Sequence, residues 1–155
     1  MDWPTPTVAD LLARDHRRLD DLFGRFLAAA DRETAARAIA AFDDALRRHT
    51  RLEEEHLFPT VPGGKLMAPP DESERDRLFR ELTLEHVQIR ELSGMIVRQL
   101  ARAADPGEAF ALAGNLARRW DAHTAREEGE AYPSMCDSLD PAGEAALRKI
   151  LEPES

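Results

Sequence analysis

Apolar residues recur every three or four positions over four long stretches of this chain, the spacing of one buried face on an α-helix. In the first stretch Val8, Leu11, Leu12, Leu19, Leu22, Phe23, Phe26 and Leu27 form the stripe and predict a helix from about Thr7 to Ala30. The second carries Ala35, Ile39, Phe42 and Leu46, with Asp31 as its cap, Thr34 as the competing cap, and an end at Phe58 set by Pro59. The third runs from the Asp71–Ser73 region to about Ala104, with Leu78, Leu82, Ile89, Ile96 and Leu100 on its stripe and Leu92 or Ser93 between them. The fourth runs from about Glu108 to Tyr132, with Phe110, Ala113, Leu116 and Trp120 inward and Pro133 as its stop. Residues 59–70 read as loop by composition, Asp105-Pro106-Gly107 as a break, and Ala142 to Leu151 as a short final helix.

Polar residues interrupt all four stripes at positions where the period calls for apolar ones. His16 follows Leu12 by four and precedes Leu19 by three, and His86 sits in the same way between Leu82 and Ile89. His49 and Glu53 continue the series 39, 42, 46, while His123 and Glu127 continue 113, 116, 120. These interruptions repeat. His49-Thr-x-x-Glu53-Glu54-x-x-x-Phe58-Pro59 returns as His123-Thr-x-x-Glu127-Glu128-x-x-x-Tyr132-Pro133, and Asp15-His16 returns as Glu85-His86 within a longer shared pattern. Two copies of a helix pair fit a bundle with an approximate two-fold axis. His and Glu four apart project from one helix face toward one spot. Counted from the helix 3–helix 4 break, His86 and the His123/Glu127 pair both lie at about 27 Å; His16 and the His49/Glu53 pair lie at about 21 and 27 Å from the first turn. An antiparallel bundle therefore brings all six side chains into one layer.

Composition narrows the class. The chain has 155 residues, enough for one domain with a real core, and only 6% are aromatic, which favours helix over sheet. The expectation is a single all-α domain, an antiparallel four-helix bundle over about 7–133 with a C-terminal extension over 134–155 holding the short helix. The net charge of -9 argues against a nucleic-acid partner. No apolar run suits a membrane span, and Met1 to Pro6 lacks the basic and apolar segments of a signal peptide. With Cys136 as the one cysteine, no internal disulfide forms, and a cytoplasmic location is expected.

The six polar stripe residues need a counter-charge. A buried carboxylate costs several kcal/mol or is driven neutral. Imidazole nitrogen with carboxylate oxygen suits iron, manganese or zinc, whereas calcium wants more oxygen. Four histidines and two glutamates exceed the needs of one tetrahedral zinc. Shared between two metals, they give each two histidines, with both glutamates bridging. A bridging oxo or hydroxo group then leaves one open position per metal, able to meet dioxygen, nitric oxide or peroxide. The order His-x3-Glu also differs from the Glu-x-x-His of ferritin-like di-iron bundles.

Taken together, Asp15-His16, His49-x3-Glu53-Glu54-x3-Phe58-Pro59, Glu85-His86 and His123-x3-Glu127-Glu128-x3-Tyr132-Pro133 resemble the hemerythrin-like proteins, also called HHE cation-binding domains. The resemblance covers about 7–133. It implies an up-down four-helix bundle around two non-haem iron ions (Fe2+/Fe3+), with His16, His49, Glu53, His86, His123 and Glu127 as ligands. The chain departs from the oxygen-carrying members of that family. Those carry a second histidine four residues from the first on helix 3, where Leu82 and Arg90 stand here, and His-x4-Asp on the last helix in place of His-x3-Glu. The pattern is closer to bacterial hemerythrin-like proteins tied to oxygen, nitric oxide or peroxide chemistry and to iron sensing.

Two functional readings follow: a di-iron carrier or sensor of dioxygen or nitric oxide, and an enzyme that turns over peroxide or nitric oxide. No general acid or base stands out beyond the ligands. A sensor would need a separate protein partner, since no signalling domain is attached. A metal-free or zinc-filled interaction bundle is the third reading, disfavoured by six polar core positions. Of the neighbours, Glu54 and Glu128 point about 100° from the ligands and either support adjacent helices or accept N–H bonds from the ligating histidines. Glu85 reads as a solvated helix residue, with an extra carboxylate for the site as the alternative. His56 reads as surface or supporting, Trp120 as core, and Cys136 as an incidental thiol. Tyr132 either approaches the site or closes the bundle end as Phe58 does.

Overall fold

The computed structural model describes residues 2–58, 71–102 and 105–152. Four long helices pack in sequence: α1 (Val8–Leu27), α2 (Arg32–His56), α3 (Glu74–Ala101) and α4 (Gly107–Arg126). The chain then makes a π-helical turn at Glu127–Ala131, continues as α5 (Tyr132–Cys136), and ends in α6 (Pro141–Leu151). α1 packs on α2, α2 on α3 and α3 on α4, the antiparallel order of an all-α bundle. No described helix is long and apolar enough to cross a membrane. The expected loop over 59–70, the stop at Pro59 and the helix 3 end at Ala104 lie outside the described residues.

Side-chain caps set the helix starts. Thr7 and Asp10 close a reciprocal capping box on α1. Asp31, rather than Thr34, caps α2 by accepting from the Thr34 backbone N–H. Ser73 caps α3 and Asp140 caps α6.

Pro133 does not stop the fourth helix as expected. The π-turn lets the Tyr132 N–H reach back to the Glu127 carbonyl, five residues away, and Pro133 falls in the first turn of α5, where a missing N–H costs little. α2 makes the same long bond at its end, from the Phe58 N–H to the Glu53 carbonyl at 2.8 Å.

The buried seam of α3 is Phe79, Leu82, His86, Ile89, Ser93, Ile96 and Leu100, an unbroken three-four alternation. Leu78 lies one step off that seam and is only half-buried, so Phe79 fills its expected place. Ser93, not Leu92, takes the middle position, its hydroxyl donating to Asp43 Oδ1 at 2.8 Å. Phe110 is 44% exposed and Leu27 51% exposed, against the expectation of inward positions. Both sit in terminal turns, where the bundle has no further layer to cover them. Phe110 still stacks on Phe26, with centroids 5.7 Å apart.

The core divides in two. One cluster gathers Leu19, Phe23, Phe26, Ile39, Phe42, Leu46, Ile89, Ile96, Leu116 and Trp120. The other gathers Val8, Leu12, Leu52, Leu57, Phe58, Phe79, Leu82, Tyr132, Met135 and Leu147. The polar layer lies between them along every helix. Leu147 brings α6 over the second cluster, and Arg148 Nη1 fastens α6 to the Pro6 carbonyl at 2.8 Å. Leu147→Ala is expected to destabilise the protein by about 2–4 kcal/mol through lost burial and a residual cavity. Urea unfolding measures this, and a loss below about 0.5 kcal/mol would mean that α6 does not seal the bundle.

Candidate metal centre

His16 on α1, His49 and Glu53 on α2, His86 on α3, His123 on α4 and Glu127 at the head of the π-turn are all buried. They form two groups, His16/His49/Glu53/Glu127 and His86/His123/Glu53/Glu127, and within each the four ligand atoms lie within 4.8 Å of one another. Glu53 and Glu127 belong to both groups, and neither has any solvent exposure. All six residues singled out by the sequence are thus brought together.

The separations match donors that share an ion. His49 Nε2 is 2.9 Å from Glu53 Oε1, and His16 Nε2 is 3.0 Å from His49 Nε2 and 3.1 Å from Glu127 Oε1. His123 Nε2 is 3.1 Å from Glu127 Oε1, and His86 Nε2 lies 3.5 and 3.6 Å from Glu53 Oε1 and Glu127 Oε2. Bonds of about 2.1 Å place neighbouring donors about 3.0 Å apart in an octahedral array and about 3.4 Å apart in a tetrahedral one. Glu53 Oε1, Glu127 Oε2, His86 Nε2 and His123 Nε2 are buried without a hydrogen-bond partner. His16 Nδ1, on the outer side, is likewise without one. Orphaned buried acceptors of this kind call for a cation.

A carboxylate stands at the outer side of each imidazole, three of the four in a hydrogen bond. Asp15 Oδ2 lies 2.6 Å from His49 Nδ1, Glu85 Oε2 lies 2.9 Å from His123 Nδ1, and Glu54 Oε1 lies 3.2 Å from His86 Nδ1. Glu128 Oε1 stands 3.5 Å from His16 Nδ1. An Nδ1–H donated outward leaves the Nε2 lone pair free to face the centre. The pattern runs around the bundle: α1 serves the histidine of α2, α2 that of α3, α3 that of α4, and the π-turn that of α1. Arginines brace two of these acids. Arg90 Nη1 donates to Glu54 at 3.1 Å and to Thr50 at 2.9 Å, while Arg126 bonds Glu85 at 3.0 Å and pairs closely with Glu81.

Glu85 is therefore not the solvated residue expected of it, because its partner His123 comes from the neighbouring helix. Glu54 takes the histidine-facing role, one of its two expected alternatives, while Glu128 stands at ion-pair distance from His16 Nδ1 without a hydrogen bond. The part played by Asp15 was not anticipated; its signal was the acid preceding His in both copies. Tyr132 approaches the site. Its hydroxyl lies 2.9 Å from His16 Nε2, 3.0 Å from Glu53 Oε2 and 3.3 Å from Glu127 Oε1. Trp120 packs edge-on against His16 at 5.5 Å, and its Nε1 donates to Asp20 at 2.7 Å. His56, half-buried in the last turn of α2, belongs to neither group.

In the ion-free protein, protons supply the missing positive charge. Burial opposes a charge on His49, yet Glu53 and Asp15 outweigh it and raise His49 to about 10. Burial likewise opposes charge on His86 and His123, and the surrounding carboxylates raise both. Burial pushes Glu127 up, but Glu53 and His123 hold it well below the usual carboxylate range. Burial and the two glutamates push the Tyr132 phenol well up. A cation entering this site displaces protons.

The sequence profile of the hemerythrin HHE cation-binding domain matches residues 7–135. The chain belongs to this family. No curated protein and no solved structure gives a significant match. Membership makes this a cation-binding HHE domain, and its two ligand groups sharing Glu53 and Glu127 are consistent with a site for two metal ions.

Asp15→Asn is expected to weaken cation binding about tenfold, the low end of what outer partners of ligating histidines contribute. Competition with a coloured chelator measures it, and unchanged affinity would remove Asp15 from the site. Cys136 stands apart from the centre. Burial and nearby Asp137 push its thiol up to about 11, so little thiolate exists at neutral pH. Alkylation by iodoacetamide is expected to be slow at pH 7.5 in the folded protein and to accelerate toward pH 11; rapid labelling at pH 7.5 would contradict this.

Proposed function

We propose that this HHE domain holds two non-haem iron ions and binds dioxygen or nitric oxide there, as a carrier or sensor in the cytoplasm. The observation that carries the reading is the pair of buried ligand groups joined through Glu53 and Glu127. In this assignment His16 and His49 would hold one ion and His86 and His123 the other, with Glu53 and Glu127 available to both. Each ion then has four protein donors, fewer than the six of an octahedral iron, which leaves room for a small ligand. When bound, an iron pair supplies reversible one-electron chemistry and those open positions.

The protein's own side chains do the rest. Outer carboxylates aim the imidazoles, and Trp120 and Phe58 pack against the histidine rings, limiting the approach of water. Leu82 is fully buried, and Arg90 is turned to Glu54. The oxygen carriers' additional helix 3 histidine therefore has no counterpart at either position. This favours sensing or ligand chemistry over simple oxygen transport.

Metal analysis of protein purified without added zinc is expected to find two irons per chain, with an absorption spectrum to match. No iron, or one tightly held zinc, would overturn the reading. Glu53→Ala and Glu127→Ala are each expected to lose metal and to destabilise the bundle; full iron content in both would refute the bridging assignment. The reduced protein, exposed first to dioxygen and then to peroxide, is expected to form a persistent, reversible adduct. Steady loss of many equivalents of peroxide would mark an enzyme instead.

A further inference from the structure

The two halves of the site are near copies, and among their differences is one oxygen atom that faces the centre. Phe58 and Tyr132 each follow a shared glutamate by five residues, and each donates its backbone N–H to that glutamate's carbonyl. The Phe58 ring stacks on His86 with centroids 5.6 Å apart, and the Tyr132 ring stacks on His16 at 5.5 Å. The rings occupy equivalent seats, one on each lone histidine. Only Tyr132 carries a hydroxyl, and that hydroxyl is buried.

Its surroundings are one-sided. The three donor atoms within 3.3 Å of the hydroxyl belong to His16, Glu53 and Glu127. Glu53 and Glu127 are shared by both groups, so His16 decides the side: it belongs to the first group alone, and neither His86 nor His123 is among the three. The separations of 2.9, 3.0 and 3.3 Å compare with 2.9, 3.0 and 3.1 Å between neighbouring ligand atoms of that group. By spacing, the hydroxyl is a fifth donor of the first group, with no twin in the second.

We propose that the Tyr132 oxygen is a ligand of the ion held by His16 and His49, so that the two metal positions are chemically unequal. This rests on the two-ion reading above. Coordination exchanges the O–H bond for an O–metal bond and releases the proton to solvent, with no electron transferred. The first ion then has one more anionic oxygen than the second and is held more tightly. The second, beside Phe58, keeps the more open position and is the place for an exogenous ligand.

Tyr132 is the only tyrosine of the chain, so the wild-type protein can be tested directly. Oxidised, iron-loaded protein is expected to show a visible phenolate-to-iron absorption and phenolate ring modes in its resonance Raman spectrum. Tyr132→Phe, which preserves the ring, is expected to lose both signals, to retain two irons, and to release one of them to a chelator about tenfold faster than wild type. Two bound irons without a phenolate signal would overturn the proposal and leave the two-ion reading intact. Unchanged release kinetics in Tyr132→Phe would overturn the inequality of the positions. A wild-type content below two metals would overturn the two-ion reading itself, on metal count alone.

Discussion

Glu53 and Glu127 lie at the centre of the bundle with no contact with water, and this burial is the constraint that organises the rest of the molecule. An ionised carboxylate in such a place costs several kcal/mol unless positive charge meets it. His49, His86 and His123 answer this by holding protons in the ion-free protein, and with His16 they offer the nitrogens that a cation would take. Both roles need the same geometry, with Nε2 inward and Nδ1 outward. The apolar clusters above and below keep water from relaxing the demand, so burial itself produces the affinity for cations.

The outer carboxylates turn that local demand into a global one. Asp15 reaches from α1 to His49, Glu54 from α2 to His86, Glu85 from α3 to His123, and Glu128 from the π-turn to His16. Each contact crosses a helix interface, and together they close a ring around the bundle. An isolated surface ion pair contributes little. These pairs differ in that one member is fully buried and committed on its other side to the centre. A metal bound at the centre therefore fixes the rotation of all four helices, and loss of one outer acid loosens an imidazole rather than merely a surface contact.

The fold and the six central residues were legible in the sequence because they lie on the three-four seams that bury each helix. His16, His49, Glu53, His86, His123 and Glu127 stand where an apolar residue would otherwise be, and a repeated exception to a periodic rule is a strong signal. What lay off the seam was not legible. Asp15 and Glu85 each follow the chain of one helix but serve a histidine of the next, and helical periodicity carries no information about neighbours across an interface. The shift from Leu78 to Phe79 shows the same limit within one helix, since two adjacent apolar residues leave the phase undecided until a partner surface selects it. Pro133 misled for a different reason. A proline forbids the ordinary helical bond, but the π-turn before it has already moved the register by one residue, placing the ring where no N–H is required.

That register shift is also what makes the site more than a symmetric pair. An ordinary α-helix would carry a residue five positions after Glu127 about 140° around the axis, away from the carboxylate it follows. The wider turn reduces this rotation and brings Tyr132 back over the cluster, as the corresponding long bond does for Phe58. π-turns are uncommon, and they recur at functional sites because they re-aim a side chain that regular geometry would waste. Only the second copy has the π-turn, but both place an N–H five residues on against the glutamate's carbonyl, so the long bond is common to the two halves. Phe58 closes its half with an apolar face and Tyr132 closes the other with an oxygen. The difference between a closed half and a polar one rests on a single side-chain atom, set within a backbone arrangement that both halves already possess.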